Sequence, residues 1–521
     1  MRSFSRPNSR LLGDAALILV LILALGVFVR VYGLGGRDLW TDEAWLALAA
    51  LKSTPGEALA ARQSTPPFYV LTVWAAAKFL GGGEAALRSL SCFFGLGTLL
   101  LFWPLARPLA SPAAALVGLA AVAFSPVMVY YAKELKQYSG DAFFAVLVLL
   151  LAERLRARRG EKGWLALALA GLLGMGFSHP LIFTLPVAGA VLFFTLPAHK
   201  LPRVVFLGLV WTLGFSAYYF VFFRHEVDPE LVVYWGQDFP DFSGVRPFII
   251  WLGGALSRYF DYFLGQWGLF WGPPLLLAGS AALARQGGSL ALIYLAGPLL
   301  LTLGAAALHR YPFMAHYGGS RLMLFSAPLL YLVAAAGITA SFTWLWQKRQ
   351  RVVALALTGL LLLALEPVEI IKEDLHPAHN REEIQPLVAH LESQLQPQDL
   401  VYVYYHAIKP FKYYSHKPIE HICYGKSCVE TALKMPESGA SPPQRVWLLA
   451  SHIPSLEYMR KFAAGLLGHE WQETACLTRT GAVLFRFEWR QEPEAAAKTP
   501  LAQKEPAVSG SEVPPADKVY R

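Results

Sequence analysis

The chain is poor in charge. Only 16% of its 521 residues are Asp, Glu, Lys or Arg, whereas soluble domains carry about 25%. Four cysteines are too few for a disulfide framework in a chain of this length. These shortages exclude an ordinary soluble domain and a disulfide-stapled scaffold. Hydrophobic residues instead make up 55% of the chain and the mean hydropathy is +0.41, which indicates a polytopic membrane protein.

The net charge of +9 does not indicate a nucleic-acid partner. The basic residues fall in short clusters between apolar runs, which is the pattern of cytoplasmic loops. The first apolar run, residues 14–33, is long enough to span a bilayer. It lacks the small-residue cleavage site of a signal peptide, so we expect an anchor with a cytoplasmic N-terminus.

The stretch 65–80 decides the remaining topology. If it spanned the membrane, the basic loop 153–162 would lie outside, against the positive-inside rule. We therefore expect 65–80, and also 246–264, to be interfacial helices at the outer face. The sequence then predicts eleven transmembrane helices, at 14–33, 87–106, 112–131, 140–152, 164–178, 180–197, 204–223, 267–284, 289–308, 322–346 and 352–368.

The character of the chain changes after residue 369. Periodicity predicts helices at 380–395 and 455–467 and strands at 400–405, 445–451 and 482–489. The predicted organisation is a transmembrane domain at 1–369, a small extracytoplasmic α/β domain at 370–490 and a disordered tail at 491–521. Cys423 and Cys428 either pair in an oxidising compartment or remain two thiols, because spacing alone does not fix their geometry.

Asp42 and Glu43 stand side by side in the segment 37–50, RDLWTDEAWLALAA, just after the first span. Thr41 or Asp38 is placed to cap a helix here, which puts both acids in its first turn, where the helix dipole favours their charged form. A carboxylate kept ionised at the membrane surface can act as a general base. The alternative is that acids simply favour the first turn of a helix.

The next outer loop, within 125–144, also concentrates ionisable residues at the membrane, where they are costly and therefore functional candidates. It contains Glu134, Lys136, Tyr138 and Asp141. Glu134 or Asp141 could join Asp42 in binding a divalent cation such as Mg²⁺ or Mn²⁺, and Asp42 with Glu134 is the candidate pair. The acids of this loop could equally hold an acceptor sugar by hydrogen bonds.

A third cluster lies at 309–321, where Arg310 and Arg321 flank Tyr311 and His316. The planar guanidinium group suits phosphate oxygens, and at an outer leaflet the natural phosphate is a lipid head group. The alternative is generic anchoring to head groups. Further candidates are Arg88 and Arg258 for the phosphate and His179 for the lining of the site.

The predicted clusters suit one chemistry. Activated nucleotide sugars are made in the cytosol, so a transferase working outside needs a sugar carried on a lipid phosphate. A carboxylate would remove the proton from an acceptor hydroxyl, and arginines would stabilise the departing phosphate.

The order of these blocks resembles the GT-C superfamily of membrane glycosyltransferases, particularly bacterial members similar to protein O-mannosyltransferases and lipid A aminoarabinose transferases. The resemblance is carried by LWTDEAW, by TPPFYVL with EAALRSLSCFFGLGTLLLFWPLAR, by SPVMVYYAKELKQYSGDAFF, by the late block with SRLMLFSAPLLYLVAAAG, and by the C-terminal HPAHNREEIQPLVAHL. It implies a GT-C-like fold of about eleven transmembrane helices in a bacterial cytoplasmic membrane.

The resemblance implies that Asp42 is the catalytic base and Glu43 its neighbour in acceptor or metal binding. It implies a second-loop site of Glu134, Lys136 and Tyr138, and matches Asp141 more loosely. Bacterial members more often have Arg where this chain has Lys136, and O-mannosyltransferases often have His where it has Thr65; both departures argue against a protein acceptor.

The expected activity is transfer of a hexose or pentose from a polyprenyl-phosphate donor to a lipid, glycan or protein acceptor at the outer face of the membrane. A transporter of lipid-linked sugars would need paired ionisable residues in mid-span, and here they gather at the outer ends. An assembly protein that recruits a partner through its C-terminal domain would leave the early carboxylates unexplained.

Overall fold

The computed structural model describes residues 9–158, 163–224, 233, 235–314, 319–364, 381–433 and 443–490. Two of the sequence predictions, His316 and the tail at 491–521, lie outside these residues. The chain divides into two compact units. The first comprises 1–227 and 235–380, and the second comprises 228–234 and 381–521.

The first unit is helical. Its α-helices are α1 (Ser9–Val31), α2 (Thr41–Ala50), α3 (Pro55–Ala60), α4 (Pro67–Leu80), α5 (Glu84–Leu109), α6 (Pro112–Phe124), α7 (Pro126–Ala132), α8 (Tyr138–Arg158), α9 (Trp164–Met175), α10 (Leu181–Thr195), α11 (Leu201–Tyr218), α12 (Val245–Leu264), α13 (Gly268–Arg285), α14 (Ser289–Ala307), α15 (Ala327–Gln347) and α16 (Arg351–Ala364). A 3₁₀ segment, Gly319–Ser326, leads into α15.

Within the described residues, five helices are long and apolar enough to cross a membrane, or up to seven if two bent pairs each form one span. The bent pairs are α6 with α7, and α12 with α13. Helices α9 and α10 are apolar but shorter. The count of eleven spans therefore stays a prediction, whereas the architecture of a multi-pass helical protein is as expected.

The third predicted span, 112–131, is not one continuous helix. It breaks at Ser125, and its halves α6 and α7 meet at an angle of 52°. Pro126 cannot donate a backbone hydrogen bond, and the Ser125 hydroxyl accepts one from Met128 N–H and caps the second half. The prediction of an uninterrupted helix is wrong at this position.

Arg30, near the end of α1, donates hydrogen bonds to the C-terminal end of α6, where the helix breaks. Its guanidinium group donates to the carbonyls of Val122 (2.7 Å) and Ala123 (2.8 Å), and to Gly26 of its own helix (2.9 Å). The side chain is fully buried. Carbonyls at the C-terminal end of a helix lack intrahelical donors and attract a cation, so Arg30 satisfies the acceptors that the break exposes.

The second unit is an α/β domain. Its strands are β1 (Leu400–Val403), β2 (Ile422–Cys423), β3 (Arg445–Ser451), β4 (Trp471–Arg479) and β5 (Ala482–Trp489), and its helices are α17 (Gln385–Gln394), α18 (Ile408–Tyr414), α19 (Lys426–Leu433) and α20 (Leu456–Leu467). The sheet order is β2-β1-β3-β5-β4, with β1 parallel to β2 and β3 and the β5 pairings antiparallel. The apolar side chains of β1, β3 and β5 form the core with α20.

Cys423 and Cys428 form a disulfide, with their Cα atoms 5.5 Å apart. The bond joins β2 to the first turn of α19 and so decides between the two alternatives that the sequence left open. Cys92 and Cys476 are free thiols.

Candidate active site

Glu43 is held inside the protein by Arg88. Its two carboxylate oxygens accept hydrogen bonds from Arg88 Nε (2.8 Å) and Nη2 (2.7 Å), and one also accepts from Leu135 N–H (2.6 Å). The remaining donors of Arg88 reach the carbonyls of Arg37 and Asp38. Both side chains are buried. The pair therefore ties together the segment before α2, the start of α5 and the loop after α7.

The electrostatics of this pair favour the ionised carboxylate. Burial raises the pKa of Glu43, but the charge and the hydrogen bonds of Arg88 outweigh it, so the pKa lies below its ordinary value. Since both oxygens of Glu43 and the fork of Arg88 are engaged with each other, the geometry favours a positioning role for both. Sequence reasoning had placed Glu43 in catalysis and Arg88 at a lipid phosphate.

Helix α2 separates the two adjacent acids. It begins at Thr41 with Trp40 at the N-cap, so the predicted cap residues Thr41 and Asp38 do not occupy the N-cap position. Successive residues of a helix point about 100° apart. Glu43 consequently points inward, whereas the side chain of Asp42 is 36% exposed.

Asp42 is the point at which three distant segments meet. Its Oδ2 lies 3.8 Å from Lys136 Nζ in the second loop and 3.8 Å from Arg321 Nη2 in the late 3₁₀ segment. These distances make ion pairs but are too long for direct hydrogen bonds. The carboxylate is thus flanked by two cations at ion-pair distance.

Aromatic side chains pack around Arg321. The guanidinium carbon of Arg321 lies 5.4 Å from the ring centre of Tyr138, the buried first residue of α8. Tyr138 packs edge-on against Tyr131, whose hydroxyl is 2.5 Å from that of Tyr262 on α12. The second predicted interfacial helix is therefore linked directly to the site.

Glu134 is buried and accepts a hydrogen bond from the indole N–H of Trp40 (2.9 Å). Within the described residues, no group of three His, Cys, Asp or Glu side chains could hold a metal ion. The two cations beside Asp42 would repel a divalent cation shared with Glu134. The arrangement does not fit the predicted Mg²⁺ or Mn²⁺ pair well, and we derive no step through it.

Asp141 and His179 lie close to the loop before α10. Asp141 is buried in the first turn of α8, near the hydroxyl of Ser178. His179 is half-buried, and its Nε2 is 2.9 Å from the carbonyl of Ser64. Burial, aided by the charge of Arg62, lowers the pKa of His179 to about 4 despite that hydrogen bond, so its ring is neutral at physiological pH.

The other late-loop candidates are spread more widely. Arg310 is exposed. Tyr311 donates its hydroxyl to the carbonyl of Leu322 (3.1 Å), one residue after Arg321. Arg258 donates to the carbonyl of Met314 (2.9 Å). The late-loop candidate that the structure places beside Asp42 is Arg321.

Sequence reasoning assigned no role to three residues that shape this site: Trp40, Tyr131 and Tyr262. Trp40 and Tyr131 lie inside the motif blocks quoted above, so the sequence indicated these parts of the chain but not the roles of the two residues. Tyr262 had no local signal, because its partner is 131 residues away.

Comparison with known proteins supports the fold. No protein-family model and no curated protein sequence matches the chain. Among solved structures, ArnT from Cupriavidus metallidurans in the apo state has a TM-score of 0.51 and 15% identity, over 91% of this chain and 98% of that one. The same protein bound to undecaprenyl phosphate gives 0.49 and 16%, over 90% and 97%. The archaeal oligosaccharyltransferase AglB from Archaeoglobus fulgidus, in complex with an inhibitory peptide and a dolichol-phosphate, gives 0.48 and 12%, over 90% and 74%.

ArnT and AglB are both members of the GT-C superfamily. At these identities the likeness concerns the fold, and it rests on the apo ArnT structure. The chain shares the fold of apo ArnT, and the resemblance predicted from the sequence is confirmed at the level of the fold.

Proposed function

We propose that this chain is a membrane glycosyltransferase that moves a sugar from a polyprenyl-phosphate donor to an acceptor hydroxyl, with Asp42 as the general base. The observation that carries the proposal is the position of Asp42, whose side chain is partly exposed and whose Oδ2 lies 3.8 Å from both Lys136 Nζ and Arg321 Nη2. The GT-C fold supports the class of enzyme, and the undecaprenyl phosphate held by ArnT supports the class of donor.

The geometry accounts for both halves of the reaction. The acceptor hydroxyl gives its proton to Asp42 and its oxygen attacks the anomeric carbon of the sugar. The bond from that carbon to the phosphate oxygen breaks, and its electron pair leaves with the polyprenyl phosphate. Lys136 and Arg321 are placed to stabilise the negative charge that develops there. Direct displacement of this kind inverts the anomeric centre.

The proposal also assigns a location. The site lies at the outer face of a bacterial cytoplasmic membrane, with the N-terminus inside and the C-terminal α/β domain outside. The Cys423–Cys428 disulfide supports this placement of the domain, because disulfides persist mainly in oxidising compartments.

The function is tested by transfer of radiolabel from polyprenyl-phosphate sugars to endogenous acceptors in membranes that contain the full chain. We expect label above an empty-vector control with at least one donor, and the labelled product identifies the acceptor class. Absence of transfer with hexosyl and pentosyl donors alike, at verified expression, would contradict the proposal and favour a transporter or an assembly protein.

Replacing Arg321 by Lys should weaken use of the donor. Lys keeps the charge but loses the planar fork, and hydrogen bonds to charged groups contribute about 1.5–3 kcal/mol each. We therefore expect transfer at limiting donor to fall roughly 10- to 100-fold. The measurement is initial rate against donor concentration. Arg224→Lys, at an exposed arginine of another predicted outer loop, is the matched control; equal losses in the two variants would remove Arg321 from the site.

A further inference from the structure

Three polar side chains are buried at the start of α8, and for one atom of each the described residues supply no hydrogen-bond partner. Asp141 is 2% exposed, and Ser178, in the loop before α10, is fully buried. The atoms without a partner are Asp141 Oδ1, Ser178 Oγ and Gln137 Oε1. Such atoms are costly to bury, and native proteins retain them mainly where water or a ligand completes the bonding.

The first turn of α8 and the loop before α10 bring these groups together. The N–H of Asp141 donates to the carbonyl of Gln137 (3.1 Å), so the two residues are one helical turn apart. The Ser178 hydroxyl lies near the Asp141 carboxyl group. The cluster thus joins two segments that are 37 residues apart in the sequence.

Aromatic packing fixes the loop that carries Ser178. Its neighbour Phe177 stacks on Phe144 of α8, with 5.4 Å between ring centres, and meets Phe94 of α5 edge-on at 5.5 Å. Gly140 permits this close approach, because a Cβ there would lie 3.1 Å from the ring of Phe94 and 3.6 Å from the carbonyl of Phe177. A few polar groups placed by apolar packing are typical of a pocket that orients a ligand.

The cluster adjoins the proposed phosphate site at Arg321. Tyr138, on which Arg321 packs, lies three residues before Asp141, about 4.5 Å along the axis of α8. Tyr311 donates its hydroxyl to the backbone carbonyl one residue after Arg321 and is within electrostatic range of both Tyr138 and Asp141. A sugar ring bonded directly to a phosphate at Arg321 has its hydroxyl groups at a comparable distance.

The chemistry of the cluster suits hydroxyl groups rather than a second phosphate. Asp42 has two cations beside it, whereas the neighbours identified for Asp141 include the hydroxyl groups of Ser178 and Tyr311. A phosphate anion offers only acceptors, and the carboxyl and amide oxygens need donors. A sugar hydroxyl both donates and accepts, so one kind of group satisfies both oxygens and the serine hydroxyl.

We propose that Asp141 and Ser178, with Gln137 beside them, bind hydroxyl groups of the sugar carried by the donor and thereby select that sugar. The inference rests on the proposed function, because it takes the phosphate of the same donor to lie at Arg321. A site that hydrogen-bonds a substrate hydroxyl strongly rejects an analogue that lacks it. The three residues therefore determine specificity and do not supply the base.

The test compares two ligands of the purified full-length protein in detergent. One is the polyprenyl-phosphate sugar that the wild type uses in the transfer assay, and the other is polyprenyl phosphate without a sugar. We expect the sugar donor to bind about 10- to 100-fold more weakly to Asp141→Ala and about 2- to 10-fold more weakly to Ser178→Ala, the usual effects of losing a hydrogen bond to a charged or a neutral group. Binding of the plain polyprenyl phosphate should be unchanged, because it has no sugar.

Two further variants are controls. Thr302→Val removes a buried hydroxyl that bonds within its own helix, at 2.8 Å from the carbonyl of Pro298, and should bind both ligands as the wild type does. Arg321→Lys should weaken both ligands alike, since each carries the phosphate. Thermal unfolding without ligand confirms that every variant is folded.

The possible results separate this inference from the proposed function. If the wild type uses no donor, the proposed function fails and the inference falls with it. If the wild type transfers sugar but Asp141→Ala binds the sugar donor equally well, the inference is overturned and the function stands. Equal weakening of both ligands by Asp141→Ala would show a structural role, and a raised acceptor KM with unchanged donor binding would place the residue at the acceptor; either result also overturns the inference.

Discussion

Replacing Asp42 by Asn should reduce sugar transfer by about 10²- to 10⁴-fold, the usual contribution of a general base. Asn has nearly the same shape and can still accept a hydrogen bond, but it cannot take the proton of the acceptor hydroxyl. The protein level should be unchanged, because the side chain is 36% exposed and its contacts with Lys136 and Arg321 are loose, at 3.8 Å. Transfer from the labelled donor that the wild type uses, at matched expression, measures the loss.

The matched control for this variant is Asp241→Asn. Asp241 is an exposed acid of another predicted outer loop, where it accepts a hydrogen bond from Ser243 N–H. The control should transfer at the wild-type rate. If Asp42→Asn also keeps most of its activity, Asp42 is not the base, and Glu134 becomes the next residue to replace.

Replacing Arg88 by Met should destabilise the first unit by about 3–5 kcal/mol, because it leaves the Glu43 carboxylate buried without its partner. The double variant Glu43→Gln with Arg88→Met should recover much of this loss, since no buried charge remains. Thermal unfolding of the purified protein in detergent measures both effects. Arg107→Met, at an exposed arginine on the same helix, is the control. A loss at Arg88 no larger than that at Arg107 would show that the pair contributes little.

The pH dependence gives a second test of the same pair. The pKa of Glu43 is lowered in the folded protein, so the stabilisation is fully present above the ordinary value of 4.5 and is lost as the pH falls through the folded pKa. The stability difference between the wild type and Arg88→Met should therefore narrow as the pH is lowered below 4.5. A difference that stays constant across that range would mean that the variant acts through packing alone.

Apolar runs predicted most helices of the first unit to within a few residues, because length and hydropathy largely determine which segments can lie in a bilayer. The break at Ser125 was missed although Pro126 was a local signal, since an apolar run hides a change of direction. In the second unit, the sequence predicted β1, β3 and β5, the three strands whose apolar side chains form the core. The edge strand β4 was not, because its burial follows no clear alternation along Trp471–Arg479.

The sequence singled out the acids at 42 and 43 but could not tell them apart. Their roles depend on which way α2 faces, and that is decided by Arg88, 45 residues further on. Likewise, Arg310 and Arg321 were equivalent phosphate candidates, and only the folded chain brings Arg321 beside Asp42. Long-range pairings of this kind leave no local pattern in a single sequence.

The hydrogen bonds of Arg30 give the first transmembrane helix a structural role beyond that of a membrane anchor. An N-terminal anchor is usually interchangeable, since any apolar segment of sufficient length keeps a protein in the membrane. Here the anchor supplies the guanidinium group that completes the broken end of α6, and the other side of that break leads through α7 into the loop that carries Lys136. A substituted anchor would still insert but would leave two buried carbonyls without donors. The first helix is thus an integral part of the packed first unit, and we expect that replacing it by a foreign anchor would give a protein that inserts into the membrane but assembles incorrectly.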